Sequence, residues 1–199
     1  GVHRRVGIIV RVPAVDAQFA QIGCAFGLGP GLADLDLRIA WEREFNRPVV
    51  TTNHGPFGDD LSDLYRRVRH RIPIIAISHD QAARAPAEVL VDTVIHHGID
   101  LDQYPFSALG GESLVFLGRM SPDKGIDDAI RAARAVGRPL LIAAKMREPA
   151  ELEYFRGVIE PMLSSDIEYV GEVHLVEKVQ MLRSAAALIN PIRWPEPFG

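Results

Sequence analysis

Two short segments of this chain carry residues whose types and spacing suit chemistry. In Phe116–Gly125 (FLGRMSPDKG), Arg119 stands just past an apolar strand and Lys124 falls in the first turn of the helix predicted to follow. Two cations beside the free N–H groups of a helix start make a site for a diphosphate. An anion held this way is also a better leaving group, because its developing negative charge is already matched. The alternative is a pair of solvated surface cations. In Arg193–Gly199 (RWPEPFG), Glu196 is pinned between Pro195 and Pro197, so its backbone is stiff. A fixed carboxylate accepts hydrogen bonds from neighbouring hydroxyls such as a sugar presents. Gly199 lets backbone approach a ligand closely. The alternative there is an ordinary proline-rich turn.

The second half of the chain supplies the elements that must position these residues. Ser113–Gly118, an apolar, partly β-branched run ended by glycine, reads as a buried strand, Pro139–Lys145 and Ile167–Gly171 read as further strands, and Ala186–Asn190 reads as a fourth, buried strand. Helices are predicted between them. The first starts at Ser121 and Pro122, as cap and first helical residue, with Ile126, Ile130 and Ala133 on one face. Pro149 opens the second, with Leu152, Phe155, Ile159 and Met162 buried, and Leu175, Val179 and Leu182 mark the third. Alternating strand and helix predicts an α/β fold with a parallel sheet, whose ligands bind at the carboxyl ends of the strands. Those ends hold the unusual polar residues: Arg119, Lys145, Gly171–Val173, and 190–199.

The first half is less regular. Pro48–Asn53 and Ile72–Ser78 read as strands around a helix over Asp60–Arg69, which carries Leu61, Leu64, Tyr65 and Val68 on one face. Asp92–Gly98 reads as a short strand and turn, Val6–Val10 as a strand and Leu35–Glu44 as a helix. Gly27, Gly29 and Gly31 do not fit the dinucleotide fingerprint. Adjacent His96 and His97 point to opposite faces of a strand, which suits one buried and one turn histidine better than a shared metal. Asp80 reads as a helix cap. The turn-rich 105–111 stretch is the expected joint between a domain over 1–110 and another over 111–199.

Composition narrows the classes further. The 199 residues are 47% apolar and 24% charged, enough for one ordinary domain or two small ones. A net charge of −4 argues against a generic nucleic-acid binder. Cys24 is the single cysteine, so the chain has neither an internal disulfide nor a cysteine-based zinc site, and a cytoplasmic location is the expectation. No apolar run is long enough to span a bilayer, and the short run after Arg4 and Arg5 makes a poor signal peptide. The Asp-x-Asp triplets at Asp34 and Asp100 are too short to indicate a metal site.

Taken together, Gly118–Gly125 (GRMSPDKG) and Asn190–Gly199 (NPIRWPEPFG) resemble the carboxyl-terminal domain of the retaining glycosyltransferases of family 4, which have the GT-B fold. Val94–Asp100 (VIHHGID) is similar to the family's turn closing the amino-terminal domain, with His97 where asparagine is usual. Pro48–Phe57 (PVVTTNHGPF) resembles its strand ending in a histidine that faces the donor sugar. The resemblance implies two Rossmann-like parallel-sheet domains, both incomplete here, since the chain stops after the first glutamate of the family's paired motif. It implies a nucleotide-diphosphate-sugar co-substrate and a sugar, lipid or small-molecule acceptor, with no cofactor and no metal. Peripheral membrane contact is compatible with it. Arg119 and Lys124 would hold the diphosphate, and Gly118 and Lys145 would be among the substrate-binding residues. Gly171, Glu172 and Val173 would line the base pocket. Glu196, Pro197 and the backbone of Phe198 and Gly199 would hold the sugar, with His54 facing it. The anomeric configuration would be kept by front-face attack, with the leaving phosphate helping to deprotonate the acceptor. The alternatives are a catalytically silent fragment with weak nucleotide binding, and a related GT-B phosphorylase or epimerase.

Overall fold

A computed structural model describes residues 7–10, 21–23, 49–68 and 72–198. The chain divides into two units, one reaching to Gly98 and taking in Glu196–Gly199, the other spanning Ile99–Pro195. The passage between them falls ahead of the 105–111 stretch. Tyr104 already packs within the second unit, its ring 5.6 Å from the Lys178 ammonium. The helix expected over 35–44, and most of the glycine-rich stretch before it, lie outside the described residues.

In the first unit, β1 (Gly7–Val10), β2 (Gln21–Gly23), β3 (Val49–Asn53), β4 (Ile74–Ala76) and β5 (Thr93–Val94) form one sheet in the order β2-β1-β3-β4-β5. The parallel expectation holds for β3, β4 and β5. It does not hold for β1, which runs antiparallel to both β2 and β3. Helix α1 (Asp59–Val68) buries Tyr65 completely, against Ile72, Ile74 and Val89, with Leu64 and Phe57 at the margin. Of the apolar face expected from the sequence, Leu64 and Tyr65 meet this core, while the side chains of Leu61 and Val68 lie outside the described residues. Helix α2 (His79–Ala83) is capped by Ser78, whose hydroxyl accepts from the Gln81 N–H at 2.9 Å. This corrects the assignment of the cap to Asp80. Asp80 lies inside the first turn and pairs with Arg84 one turn on, at 2.7 Å.

In the second unit, β6 (Leu114–Arg119), β7 (Leu140–Lys145), β8 (Ile167–Gly171) and β9 (Ala187–Leu188) form a wholly parallel sheet in the order β8-β7-β6-β9. The chain steps outward from β6 through β7 to β8, then crosses back to place β9 on the other side of β6. Strand order thus reverses between β6 and β9, the switch point where open α/β sheets leave a crevice. Phe116, Met120, Leu140, Ile142, Ile159 and Ile167 form the core with Ile126 and Ile130 of helix α3 (Ile126–Val136), all at most 2% exposed.

The helices depart from the sequence pattern at three places. Ser121 and Pro122 do not open α3. They lead into a 3-10 turn, Pro122–Lys124, and the helix starts after Gly125, whose φ is +72°. The Ser121 hydroxyl makes no capping bond and is buried without a partner among the described residues. Helix α4 (Pro149–Tyr154) gives way to a π-turn at Phe155–Ile159 and a 3-10 turn at Glu160–Met162. Pro161, with no N–H to donate, explains why the regular helix cannot run through. Leu152, expected to be buried, is 37% exposed. Helix α5 (Leu175–Ser184) has no buried residue, and Leu175 is 42% exposed.

Candidate functional site

The carboxyl ends of β6, β7 and β8 each carry charged residues. Arg119 and Lys145 are register partners on adjacent parallel strands. Both are exposed, so two cations stand side by side at that edge. Gly118 is exposed just before Arg119, and the position its Cβ would take lies 3.2 Å from the Phe116 ring. Lys124 is half-buried in the turn that follows, not in the first turn of α3 as the sequence suggested. The Arg119 Nε lies 3.4 Å from Glu151 Oε1.

Gly171 ends β8 with a φ of +87°, and Glu172 and Val173 follow it. Glu172 is not a free carboxylate. It forms a two-pronged pair with Arg147, at 2.8 Å and 2.9 Å from Nη2 and 3.2 Å from Nε. A fork-to-carboxylate pair of this kind fixes the plane of both groups. It ties the segment after β7 to the segment after β8.

The mouth of α3 is where the sequence placed free N–H groups for an anion. In the structure it carries Asp127 and Asp128 in its first turn. Arg193 reaches both, with Nη2 at 2.8 Å from Asp127 Oδ2 and Nε at 2.7 Å from Asp128 Oδ2. Arg131 also reaches both carboxylates, and the Tyr154 hydroxyl donates to Asp127 at 2.8 Å. Burial raises the Asp127 pKa, but hydrogen bonds from Arg193, Tyr154 and Arg131 outweigh it and hold the carboxyl well below its ordinary range. Burial, and then the bond to Asp127, push the Tyr154 phenol up to about 12. Helix-terminal carboxylates of this kind complement the macrodipole themselves. The Arg193 backbone N–H adds a bond to the Asp123 carbonyl at 2.8 Å. Arg193 was not singled out from the sequence. Its signal would have been an arginine five residues beyond a strand end, which is too common to read.

Four of the sequence-selected residues that the structure describes, His54, Glu196, Pro197 and Phe198, lie with the first unit. His54 follows β3 and stacks on His97, ring centroids 5.1 Å apart and 8° from parallel. Burial, and then the nearby His97, lower the His54 pKa. Phe198 packs edge-on against His97 at 5.1 Å and beside His96 at 5.9 Å, while His96 meets His79 at 5.5 Å. His96 and His97 are therefore both exposed partners in one cluster of rings, not one buried and one turn residue. Pro197 is buried, and its carbonyl accepts from the Ser78 hydroxyl. Glu196 is half-buried next to it. Gly199 lies outside the described residues. Gln81, also missed from the sequence, is 2% exposed and brackets His54, donating to the carbonyls of Asn53 at 3.0 Å and Gly55 at 2.7 Å. Among the described residues no group of three or more His, Cys, Asp and Glu is arranged to hold a metal ion, and no helix is long and apolar enough to cross a membrane.

No family model and no curated protein matches the sequence. Solved structures do match. AviGT4, a glycosyltransferase involved in avilamycin A biosynthesis, is 28% identical over 63% of this chain, with a TM-score of 0.52. Sucrose-phosphate synthase from Thermosynechococcus elongatus is 18% identical over 83% of the chain, TM-score 0.65. Anabaena HepE, solved with UDP and in a further structure with UDP-glucose, is also 18% identical over 83%, TM-score 0.68 for the UDP complex. The chain has the GT-B-like α/β fold of these glycosyltransferases. It spans 39%, 49% and 52% of their respective lengths, about half or less of each.

Proposed function

We propose that the chain is part of a retaining glycosyltransferase of the family 4 kind, and that its second unit grips a nucleotide-diphosphate-sugar donor. One observation carries the reading. Arg119 and Lys145 stand side by side at the carboxyl ends of β6 and β7, beside the β6–β9 switch point, in a fold shared with HepE. HepE was solved with UDP and with UDP-glucose. In this reading Arg119, Lys124 and Lys145 meet the diphosphate charge, and Gly118 keeps the approach open. Gly171, Glu172 and Val173 border the base. Glu196, with Pro197 and the backbone of Phe198 and Gly199, accepts hydrogen bonds from the sugar hydroxyls, and His54 faces the sugar. Transfer breaks the bond from the anomeric carbon to the diphosphate oxygen. The acceptor oxygen bonds to that carbon from the same face, and its proton passes to the leaving phosphate. The cations match the charge that grows on the leaving group, which is the largest service such a site renders. The single cysteine suits a reducing cytoplasm.

Calorimetric titration of the chain with UDP and with uridine tests this. UDP should bind saturably. Arg119→Ala and Lys124→Ala should each weaken UDP by roughly ten- to 150-fold, the equivalent of roughly 1.5–3 kcal/mol for a charge-assisted contact, and leave uridine nearly unchanged. Absence of saturable binding at millimolar UDP, or equal losses for both ligands, would sink the reading.

A further inference from the structure

Asp127 and Glu151 are the buried carboxylates among the described residues. Asp127 is accounted for by Arg193, Arg131 and Tyr154. Glu151 has no place in the donor reading above, yet it is 6% exposed and lies beside the residue that reading needs most. Its two oxygens face different ways. Oε2 accepts from the backbone N–H groups of Arg147 at 2.7 Å and Glu148 at 3.0 Å, closing the capping box that starts α4. Oε1 lies 3.4 Å from Nε of Arg119. A carboxylate is costly to bury, and it persists where its lone pairs are met by fixed donors. Here the donors on one side are backbone, so the other oxygen is held still. The contact at 3.4 Å is made to Arg119 Nε, the guanidinium nitrogen nearest the side-chain stem. From Arg147 the same line continues to Glu172, so Arg119, Glu151, Arg147 and Glu172 link the carboxyl ends of β6, β7 and β8.

We propose that Glu151 is a positioning residue that presents the Arg119 guanidinium to the donor diphosphate. The proposal rests on the donor-grip reading. Glu151 has two opposed effects on Arg119. It offsets some of the positive charge, which weakens the pull on a phosphate. It also orders a long side chain that a ligand would otherwise have to order. The Arg119 side chain is 59% exposed, so the charge effect is screened by water and salt. The ordering effect is not screened, since an arginine loses rotamer freedom wherever it is fixed. Order therefore outweighs offset, and removing the carboxylate weakens the grip.

The test uses the full chain, with UDP and uridine as the probes in calorimetry. Glu151→Gln keeps the size and offers an amide oxygen to the two backbone N–H groups. It should raise the Kd for UDP roughly two- to tenfold and leave uridine unchanged. In an Arg119→Ala background, Glu151→Gln should have no further effect on UDP, because there is nothing left to position. Tighter or unchanged UDP binding by Glu151→Gln would overturn the proposal. So would equal losses for UDP and uridine, or a full additional loss in the Arg119→Ala background. If Glu151→Gln does not fold, Arg119→Lys decides. A lysine keeps the charge but has neither the guanidinium that Glu151 meets nor a fork to present, so it should recover only part of the UDP affinity that Arg119→Ala loses. Recovery of wild-type affinity by Arg119→Lys would mean that charge alone suffices. A wild-type chain that binds no UDP would instead fail the donor-grip reading itself, while normal wild-type binding with any overturning result fails this inference alone.

Discussion

His54 is held toward its neutral form by its surroundings. Partial burial disfavours the imidazolium, and His97, stacked on the same ring, adds repulsion whenever both are charged. Its folded pKa is therefore below its ordinary 6.5. The consequence for stability has a definite sign. As pH falls through 6.5 the unfolded chain takes up the proton first, so the folded state is progressively penalised until the folded pKa is passed. Above 6.5 neither state is protonated at this site and the penalty vanishes. An NMR titration of the His54 imidazole should show a midpoint below 6.5, and His54→Gln should flatten the loss of stability on the acid side of that value. A midpoint at or above 6.5 would contradict the burial argument. A neutral ring at neutral pH suits a group that hydrogen-bonds a sugar better than one that attracts its phosphate. Gln81, satisfied by the Ile77 N–H and the carbonyls on either side of His54, fixes the backbone that carries that ring.

Between β6 and α3 the chain has to turn sharply, and one residue makes the turn feasible. Gly125 adopts φ +72°, a region that L side chains rarely enter. A Cβ there would also run into the Pro191 carbonyl, well inside contact distance. The segment after β9 thus lies directly on the turn that carries Lys124, and Arg193 locks it there through Asp127 and Asp128. Gly125→Ala should destabilise the second unit by roughly 1–3 kcal/mol for the backbone conformation alone, with the clash adding to it. Urea unfolding followed by Trp194 fluorescence in a Trp41→Phe background measures this, because the sequence has two tryptophans. A midpoint equal to the parent's would show that the turn relaxes freely. The same close approach explains why Ser121 and Pro122, though typed as a helix start, do not open α3. The helix begins only where the chain has cleared the segment after β9.

At the scale of the chain, apolar side chains stand uncovered among the described residues. In the second unit α5 leaves Leu175 and Val176 exposed, at 42% and 69%, and Leu188 of β9 is 50% exposed. β9 ends its sheet, so one row of its backbone groups pairs with no strand among the described residues. Exposed apolar side chains and an unpaired strand edge each favour association with another chain. Sedimentation velocity should show the average mass rising with concentration in the micromolar to millimolar range. Leu188→Lys, which places a charge at that edge, should suppress the rise. A wild-type chain that stays monomeric throughout would contradict this. The net charge of −4 is small for the chain's length and opposes association only weakly.

Local pattern carried much of this fold because β6 and β7 are central strands of a parallel sheet, largely buried, which demands continuous apolar runs that show without any partner, while β8 at the sheet's edge alternates buried and exposed positions. The same holds for α1, α3 and the polar residues beyond the strands, since periodicity and strand ends are properties of neighbouring positions. The motifs around Arg119 and Glu196 were equally visible, as short fixed spacings. What pattern could not supply is anything that depends on distance between remote positions. The reversed direction of β1, the ring cluster joining His54, His79, His96, His97 and Phe198, the hold of Arg193 on Asp127, and the reach of Glu151 to Arg119 each join segments far apart along the chain. A carboxylate reads the same in sequence whether solvated or buried against a guanidinium. Only the packing of strands and helices in three dimensions brings such groups within a few ångströms, and their chemistry begins at that range.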